Sequence, residues 1–418
     1  MNKKKILNDP VYGFINIPNE LVFDIIEHSY FQRLRRIKQL GLTDLVYPGA
    51  LHTRFHHAIG ATYLMQKTLD TLRTKGVMIF DAEYEAALIA ILLHDVGHGP
   101  FSHTLEFSLF QDVQHEQISL WIFDKLNKEF GGRLEMAKQI FTGTYHRKFL
   151  HQLVSSQLDV DRLDYLKRDS FFTGVYEGTI GAERIIKMIN VENDQLVVEE
   201  KGIYSIENFL SARRLMYWQV YLHKTSVAAE AMLISLIKRA KKLTQKGKDV
   251  PATPAFRIFL ERDISRQEFF DDKDLLDIFT MLDDTDIWGC IKMWQSHDDV
   301  VLARLSHALL NRRLWAIKLS NEKFPSELTD SLQQQLQEEG LTQAETKHFI
   351  QKGSISNSAY IARGGSINIL MKTGEVVDVA QATDLPNIKA MSKIVKKYYL
   401  CYPKNLTLPE LPQEESPV

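Results

Sequence analysis

The segment Ala86–Leu93 is an unbroken run of apolar residues, and it stops abruptly at His94-Asp95. A helix that is apolar on every face has to be buried on every side. Ending it in an imidazole and a carboxylate puts two polar groups at the edge of a core, where each needs a partner. A divalent cation satisfies both, because a neutral imidazole nitrogen and a carboxylate oxygen suit Mn, Fe, Mg or Zn. His98 and His103 follow, and Gly97, Gly99 and Pro100 predict a tight turn rather than a continued helix. One His-Asp pair alone would read as a capped helix end. The density of histidines argues otherwise: of 14 in the chain, seven lie between His52 and His115, where even spreading would place about two. Clustered His with Asp or Glu marks a metal or catalytic site.

With 418 residues, 44% hydrophobic and 25% charged, the chain has the make-up of an ordinary globular protein with a large core. The net charge of -2 argues against a surface that coats nucleic acid. Cys290 and Cys401 form no CxxC, so neither a disulfide framework nor a Cys-rich zinc site is expected and a reducing compartment fits. The first ten residues lack the apolar stretch of a signal peptide, and no run approaches the ~20 apolar residues of a membrane span. The expectation is a cytoplasmic protein with no membrane partner.

Taken in order, the pattern predicts an extended segment over 10–17, a helix from Pro18-Asn19 to Glu27, and an amphipathic helix from Tyr30 to Leu40 with Arg33, Arg35, Arg36 and Lys38 on a solvated face. Thr53 can cap a helix running to about Lys75, with Arg54, His56 and His57 in its first turn. Helices are expected over 81–93 and from His115 to Phe130. In the run His151–Phe171, a helix would align Arg162, Tyr165 and Asp169 in one stripe, with Asp161 at its edge and Asp164 able to pair with Arg168. That stripe reads equally as an exposed helix face or as a metal carboxylate beside a ligand face. A hairpin is expected over 194–206, turning at Lys201-Gly202. A helix from Ile206 to about Lys242 follows, carrying Arg213, Tyr217 and Tyr221 at spacings of four. Such a face can hold a nucleotide, although a Tyr stripe is more often core packing. Strands are expected on either side of Thr373-Gly374. The domain expectation is a helical core over 1–320, a small α+β lobe over 321–408 and a disordered tail over 409–418.

Several strings now combine. Asn8-Asp-Pro-Val-Tyr-Gly, Phe31-Gln-Arg-Leu-Arg-Arg-Ile-Lys-Gln-Leu-Gly41, Tyr47-Pro-Gly-Ala, Arg54-Phe, the His94–His103 stretch, His115-Glu116 and Asp159-Val-Asp-Arg-Leu-Asp-Tyr165 stand with His57, His94-Asp95 and Asp161 in the order H…HD…D. The chain resembles the HD-domain metal-dependent phosphohydrolases. Within them it looks like the deoxynucleotide triphosphohydrolase branch, which holds bacterial dGTPase-like enzymes and the animal SAM-and-HD-domain enzyme. The resemblance is strong over about 5–240 and weak beyond.

The resemblance implies a mainly α fold: an HD-domain helical bundle with a small α+β C-terminal lobe. It implies a divalent ion (Mn, Mg, Fe, Ni or Zn) on His57, His94, Asp95 and Asp161. Arg54, Arg162 and Arg213 would contact phosphates. Gln39, Leu40, Tyr165, Asp169 and Tyr221 would line the deoxyribose pocket, with Tyr217 beside them where the family has His. Tyr221 would crowd a 2′-hydroxyl. His98, His103 and His115 would surround the α-phosphate, His103 donating the proton, with Glu106 and Glu116 orienting them. A nucleotide activator would use Lys5, Asn8, Glu27, Gln32 and Arg35, although Glu27 and Phe14 stand where the animal enzyme has Asp and His. The implied substrate is a deoxynucleoside triphosphate (dNTP), and the implied assembly a homo-oligomer, dimer or tetramer. Three other readings stay open: an HD hydrolase of another nucleotide, a nucleotide- or single-strand-binding regulator with this fold, and an HD-fold oxygenase with two irons.

Overall fold

The computed structural model describes residues 5–101, 103–111, 113–357, 366–384 and 395–409. The C-terminal segment expected to be disordered, 409–418, lies almost wholly outside them, and the His103 side chain is also outside them although its helix, His103–Leu109, is not. The described chain forms two compact units. One comprises residues 1–221, 263–287 and 358–394, and the other 222–262, 288–357 and 395–418.

The first unit is built on the apolar run. It forms a helix over Asp81–Leu93, its first turn acidic and capped by Glu83, which accepts from the Phe80 amide at 2.9 Å. Ala86 to Leu93 are all buried. The helix packs against Arg54–Thr74 on one side and Glu135–Phe141 on another, and Arg54–Thr74 packs in turn against Val160–Thr173. Burying each Leu or Ile contributes about 1.5–3 kcal/mol, enough to place this helix at the centre of the unit.

The helix stops at Leu93 and the chain turns. Ser119 on the His115–Glu129 helix donates to the His94 carbonyl and accepts from the Gly97 amide, both at 3.0 Å. Gly97 lies so close that a Cβ there would meet the His115 carbonyl oxygen at 2.2 Å.

Three expected elements differ. Helix over 30–40 breaks into Ser29–Gln32 and a tight turn at Arg33–Arg36, after which the chain is extended. The backbone of 37–39 instead pairs with 52–54: Arg54 N–H donates to Ile37 O and Gln39 N–H to His52 O, both at 3.0 Å. Arg33, expected on a solvated face, is fully buried. The hairpin lies earlier than expected: Ile189–Glu192 pairs antiparallel with Gln195–Glu199. Its turn is Asn193-Asp194, both left-handed, the conformation of a tight two-residue hairpin turn, while Ile203 starts a helix. The long helix after 206 is two helices, Ile203–Met216 and Lys224–Gln245, separated by a π-turn over Tyr217–Tyr221. Such wide turns re-aim side chains, here the Tyr221 hydroxyl.

The strands on either side of Thr373-Gly374 pair antiparallel, and Asn368–Leu370 extends the hairpin sheet in parallel with Gln195–Glu199. The second unit holds the helices Lys224–Gln245, Pro254–Glu261, Val300–Leu310 and Ser326–Glu338. Its antiparallel sheet has Val395–Tyr402 between Ala316–Ser320 and Gln351–Asn357. The segment after 321 therefore supplies strands to a sheet in each unit. The chain is mainly helical with small sheets near its C-terminal end, as expected. Among the described residues, no single helix is long and apolar enough to cross a membrane.

Gly97→Ala is expected to destabilise the protein by about 3 kcal/mol, because the two nearest atoms it would meet, His115 O and Ser119 N, are backbone and cannot swing away. Urea unfolding followed by far-UV circular dichroism measures this, and a wild-type midpoint would contradict it.

Candidate metal centre

His57, in the first turn of Arg54–Thr74, is fully buried, and so is the Asp164 carboxylate that meets its Nδ1 at 2.8 Å. His94, the residue ending the apolar helix, has its Nδ1 2.6 Å from the Ile91 carbonyl. A carbonyl only accepts, so His94 Nδ1 carries the proton. The carboxylate of Asp164 selects the same tautomer at His57. Both Nε2 atoms therefore point away from their anchors, and both are buried and face the Asp161 carboxylate. Asp161 Oδ1 stands 3.0 Å from His57 Nε2 and 3.4 Å from His94 Nε2. Asp95 adds an oxygen 3.9 Å from His57 Nε2 and another 3.4 Å from His94 Nε2.

Two nitrogen lone pairs and two carboxylates converging within a few ångström form a donor set that fits a divalent ion, and each histidine has the outer partner that metal-bound histidines have. His57, His94 and Asp161 can hold an ion together.

The local electrostatics match. Burial opposes the charge on Asp95, but His94, His98 and Arg54 hold its pKa well below the usual carboxylate range. Arg54 pairs with Asp95 directly. Burial and the Arg54 charge push the His98 pKa well down, so that imidazole is neutral at pH 7. Burial alone would lower the His57 pKa; the carboxylates of Asp161 and Asp164 outweigh it and raise it to about 10.

His98 stacks on His115, ring centres 3.8 Å apart. His115 is held between Glu106, 3.2 Å from Nδ1, and Glu116, 3.4 Å from Nε2. Asp95, His98 and His115 form a second group able to share an ion. The turn bearing His98 is clamped from below. The buried Arg33 donates to the carbonyls of Val96 at 2.9 Å and His98 at 2.7 Å. Asp284 accepts from Phe101 N–H at 3.0 Å, where the backbone is left-handed, and from Lys38 N–H at 2.9 Å. One carboxylate thus ties the histidine turn to the Gln39 loop.

The sugar-pocket residues also converge. The Tyr221 hydroxyl donates to Asp169 Oδ2 at 2.7 Å, and His52 Nε2 lies 2.7 Å from Asp169 Oδ1. Tyr165 and Tyr217 meet Tyr221 edge-on. Gln39 Oε1 is buried without a partner. Leu40 is half-buried in the turn after it. Arg162 pairs with Asp159, and Arg213 donates to Gln157 at 3.0 Å. Among the candidate activator residues, Gln32 accepts from Arg35 at 2.8 Å and donates to the Ile26 carbonyl; Lys5 lies over Phe23, Asn8 is in the first strand and Glu27 ends the first helix.

Sequence reasoning passed over His52, Arg33, Asp284 and the outer role of Asp164. His52 belonged to the histidine cluster, and Asp164 follows Asp159 and Asp161 in the same acidic run. Nothing local marked Arg33 or Asp284, whose partners are remote in sequence.

An HD-domain model matches residues 54–169, and an HD-associated region matches 180–251. A crystal structure of a phosphohydrolase from Bacteroides thetaiotaomicron superposes with a TM-score of 0.93 at 53% identity, covering 96% of this chain and all of that one. The uncharacterised protein YwfO of Bacillus subtilis is 31% identical over 97% of this chain and 94% of its own length. A Dictyostelium discoideum protein named as a homologue of the deoxynucleoside triphosphate triphosphohydrolase SAMHD1 is 32% identical over 56% of this chain, a match spanning 49% of that protein.

The raised His57 pKa sets a pH dependence. Between its ordinary 6.5 and about 10, folded metal-free protein keeps a proton that the unfolded chain has lost. That stabilisation is complete below pH 6.5 and is lost as pH rises through 10. An ion entering at Nε2 displaces this proton, so affinity should climb by up to about tenfold per pH unit across the window. Calorimetric Mn2+ titration at pH 7.5 in two buffers of different ionisation enthalpy should report about one proton released; none released would contradict the assignment.

Proposed function

Because the chain belongs to the HD-domain phosphohydrolase family, we propose that it cleaves dNTPs at the α-phosphate, releasing a deoxynucleoside and intact triphosphate. The observation that carries this reading is the convergence of the buried Nε2 atoms of His57 and His94 on the Asp161 carboxylate, with Asp169, which accepts from the Tyr221 hydroxyl, on the same helix as Asp161. The relative named as a deoxynucleoside triphosphate triphosphohydrolase homologue supports the substrate class.

His57, His94, Asp95 and Asp161 would hold the ion. When bound, a divalent ion polarises a phosphoryl oxygen and acidifies water. Arg54, Arg162 and Arg213 offset the negative charge of the triphosphate, which otherwise repels a nucleophile. In the structure Arg54 pairs with Asp95, Arg162 with Asp159, and Arg213 donates to Gln157. Arg162 Nε and Arg213 Nε are buried without a partner, so phosphate oxygens would answer donors the protein leaves open. Asp169 and Gln39 bind the 3′-hydroxyl, and Tyr221, anchored on Asp169, occupies the space a 2′-hydroxyl needs. The leaving 5′-oxygen takes a proton from a histidine, since imidazole titrates in the useful range. His103 is the proposed donor, and His115 is set between Glu106 and Glu116. A homo-oligomer and a nucleotide activator at Lys5, Asn8, Glu27, Gln32 and Arg35 complete the proposal.

A second reading has a specific observation behind it. Asp95, His98 and His115 can share an ion, so a two-ion HD hydrolase of another phosphoester, or a two-iron oxygenase, would use the same pocket. Metal analysis separates them: one ion per chain supports the triphosphohydrolase, two the alternatives.

Purified protein with Mn2+ or Mg2+, given each dNTP and NTP separately with and without GTP, should yield deoxynucleoside and triphosphate by ion-exchange chromatography. Monophosphate and pyrophosphate instead would sink the proposal. His94→Ala should lower turnover by at least about a thousandfold while retaining the helical far-UV signal. Tyr221→Ala should lower the dNTP-to-NTP rate ratio by about tenfold or more; an unchanged ratio would remove Tyr221 from sugar discrimination.

A further inference from the structure

The Asp164–Arg168 pair, which the sequence offers as an ordinary surface ion pair, is fully buried and does not end there. Arg168 Nε and Nη2 donate to the two Asp164 oxygens at 2.9 and 3.0 Å. Its Nη1 donates to Asp9 Oδ2 at 2.7 Å. Asp9 ends the first strand of the N-terminal hairpin, Ile6–Asp9 with Gly13–Asn16, and is itself buried. Its Oδ1 accepts from the amides of Val11 and Tyr12 at 2.9 and 3.0 Å and so shapes the turn. At the other end, Asp164 Oδ2 meets His57 Nδ1. A continuous chain of buried charge therefore runs from the hairpin turn through Arg168 and Asp164 to His57. It has no slack: a Cβ on Gly60 would come within 2.1 Å of both Arg168 Nη2 and Asp164 Oδ1.

The charges decide what the chain does. A carboxylate that accepts from a metal-binding imidazole raises the electron density on the opposite nitrogen. A bidentate guanidinium on that carboxylate draws density away again. Asp9 offsets this second effect by sharing the guanidinium charge, leaving Asp9, Arg168 and Asp164 together with one net negative charge behind His57. In a dry interior such charges are weakly screened, so the Asp9 charge is felt at the imidazole.

We propose that Asp9 is a positioning residue for the metal centre, setting through Arg168 and Asp164 how strongly His57 donates to an ion, so that the N-terminal hairpin and the metal site are coupled. This rests on the reading of His57 as a metal ligand. The coupling is reciprocal: whatever orders the hairpin turn tightens ion binding, and ion binding steadies the turn. Asp9 adjoins Asn8, so a ligand on this hairpin has a direct physical route to the centre.

The test uses the full chain and Mn2+ alone. Asp9→Asn keeps the oxygen that shapes the turn and removes the charge. Its Mn2+ dissociation constant should rise about tenfold or more. In an Asp164→Asn background the same change should have no further effect, an outcome a purely structural role would not give. In wild-type protein, adding Mn2+ should slow hydrogen exchange at the Val11 and Tyr12 amides relative to other surface turns. This second measurement decides the matter if Asp9→Asn does not fold. Folded Asp9→Asn with wild-type affinity, or no change in exchange at the turn, overturns the coupling. Wild-type protein that takes up no Mn2+ overturns the metal reading, and the coupling with it.

Discussion

Two imidazole nitrogens set the terms for the rest of the first unit. His57 and His94 each have Nδ1 anchored, one by the Asp164 carboxylate and one by the Ile91 carbonyl, so each Nε2 is directed at Asp161. Both are shut away from water. A fold that buries imidazole nitrogens in this way is stable only if the surroundings hold them in place and something of opposite charge answers them. The apolar helix supplies the rigidity. Its burial outweighs the cost of stopping it in polar groups at the one end where Gly97 lets the chain turn under Ser119.

Support for the centre comes from segments far apart in sequence. Arg33 closes the histidine turn from one side through backbone carbonyls. Its buried guanidinium stays charged, since burial lowers its pKa only to about 9. Asp284, from the 263–287 insertion, reaches the same turn and also the Gln39 loop. Asp169 meanwhile gathers His52 and Tyr221, so the proposed sugar pocket is fixed by a buried carboxylate with two donors. Each of these groups acts on backbone or on another side chain, which is how a site keeps its geometry before any ligand arrives.

What could be read along the chain was what depends on near neighbours. Helices Arg54–Thr74, Asp81–Leu93 and His115–Glu129 follow from a capping Thr, an unbroken apolar run and their flanking residues. The break at Arg33–Arg36 could not be read. Its residues suit a helix, but the backbone of 37–39 finds better partners in 52–54. The hairpin was displaced for a similar reason. Lys201-Gly202 is a fair turn signal, yet Asn193-Asp194 can take two left-handed conformations in succession and places the strand pair earlier. The π-turn at Tyr217–Tyr221 leaves no mark in an amphipathic pattern.

The order of His57, His94-Asp95 and Asp161, with the strings around them, was enough by itself to determine the family, the helical core and the candidate ligands. Those depend on residue identity and short spacing. Only the tertiary structure decided which nitrogen of each histidine faces the centre, that Arg33 is interior, and that Asp9 stands behind Arg168 and Asp164. Those depend on contacts between residues up to about 250 positions apart, such as Arg33 with Leu282. Local propensity carries no record of such contacts, because the burial that makes them strong exists only once the chain has packed.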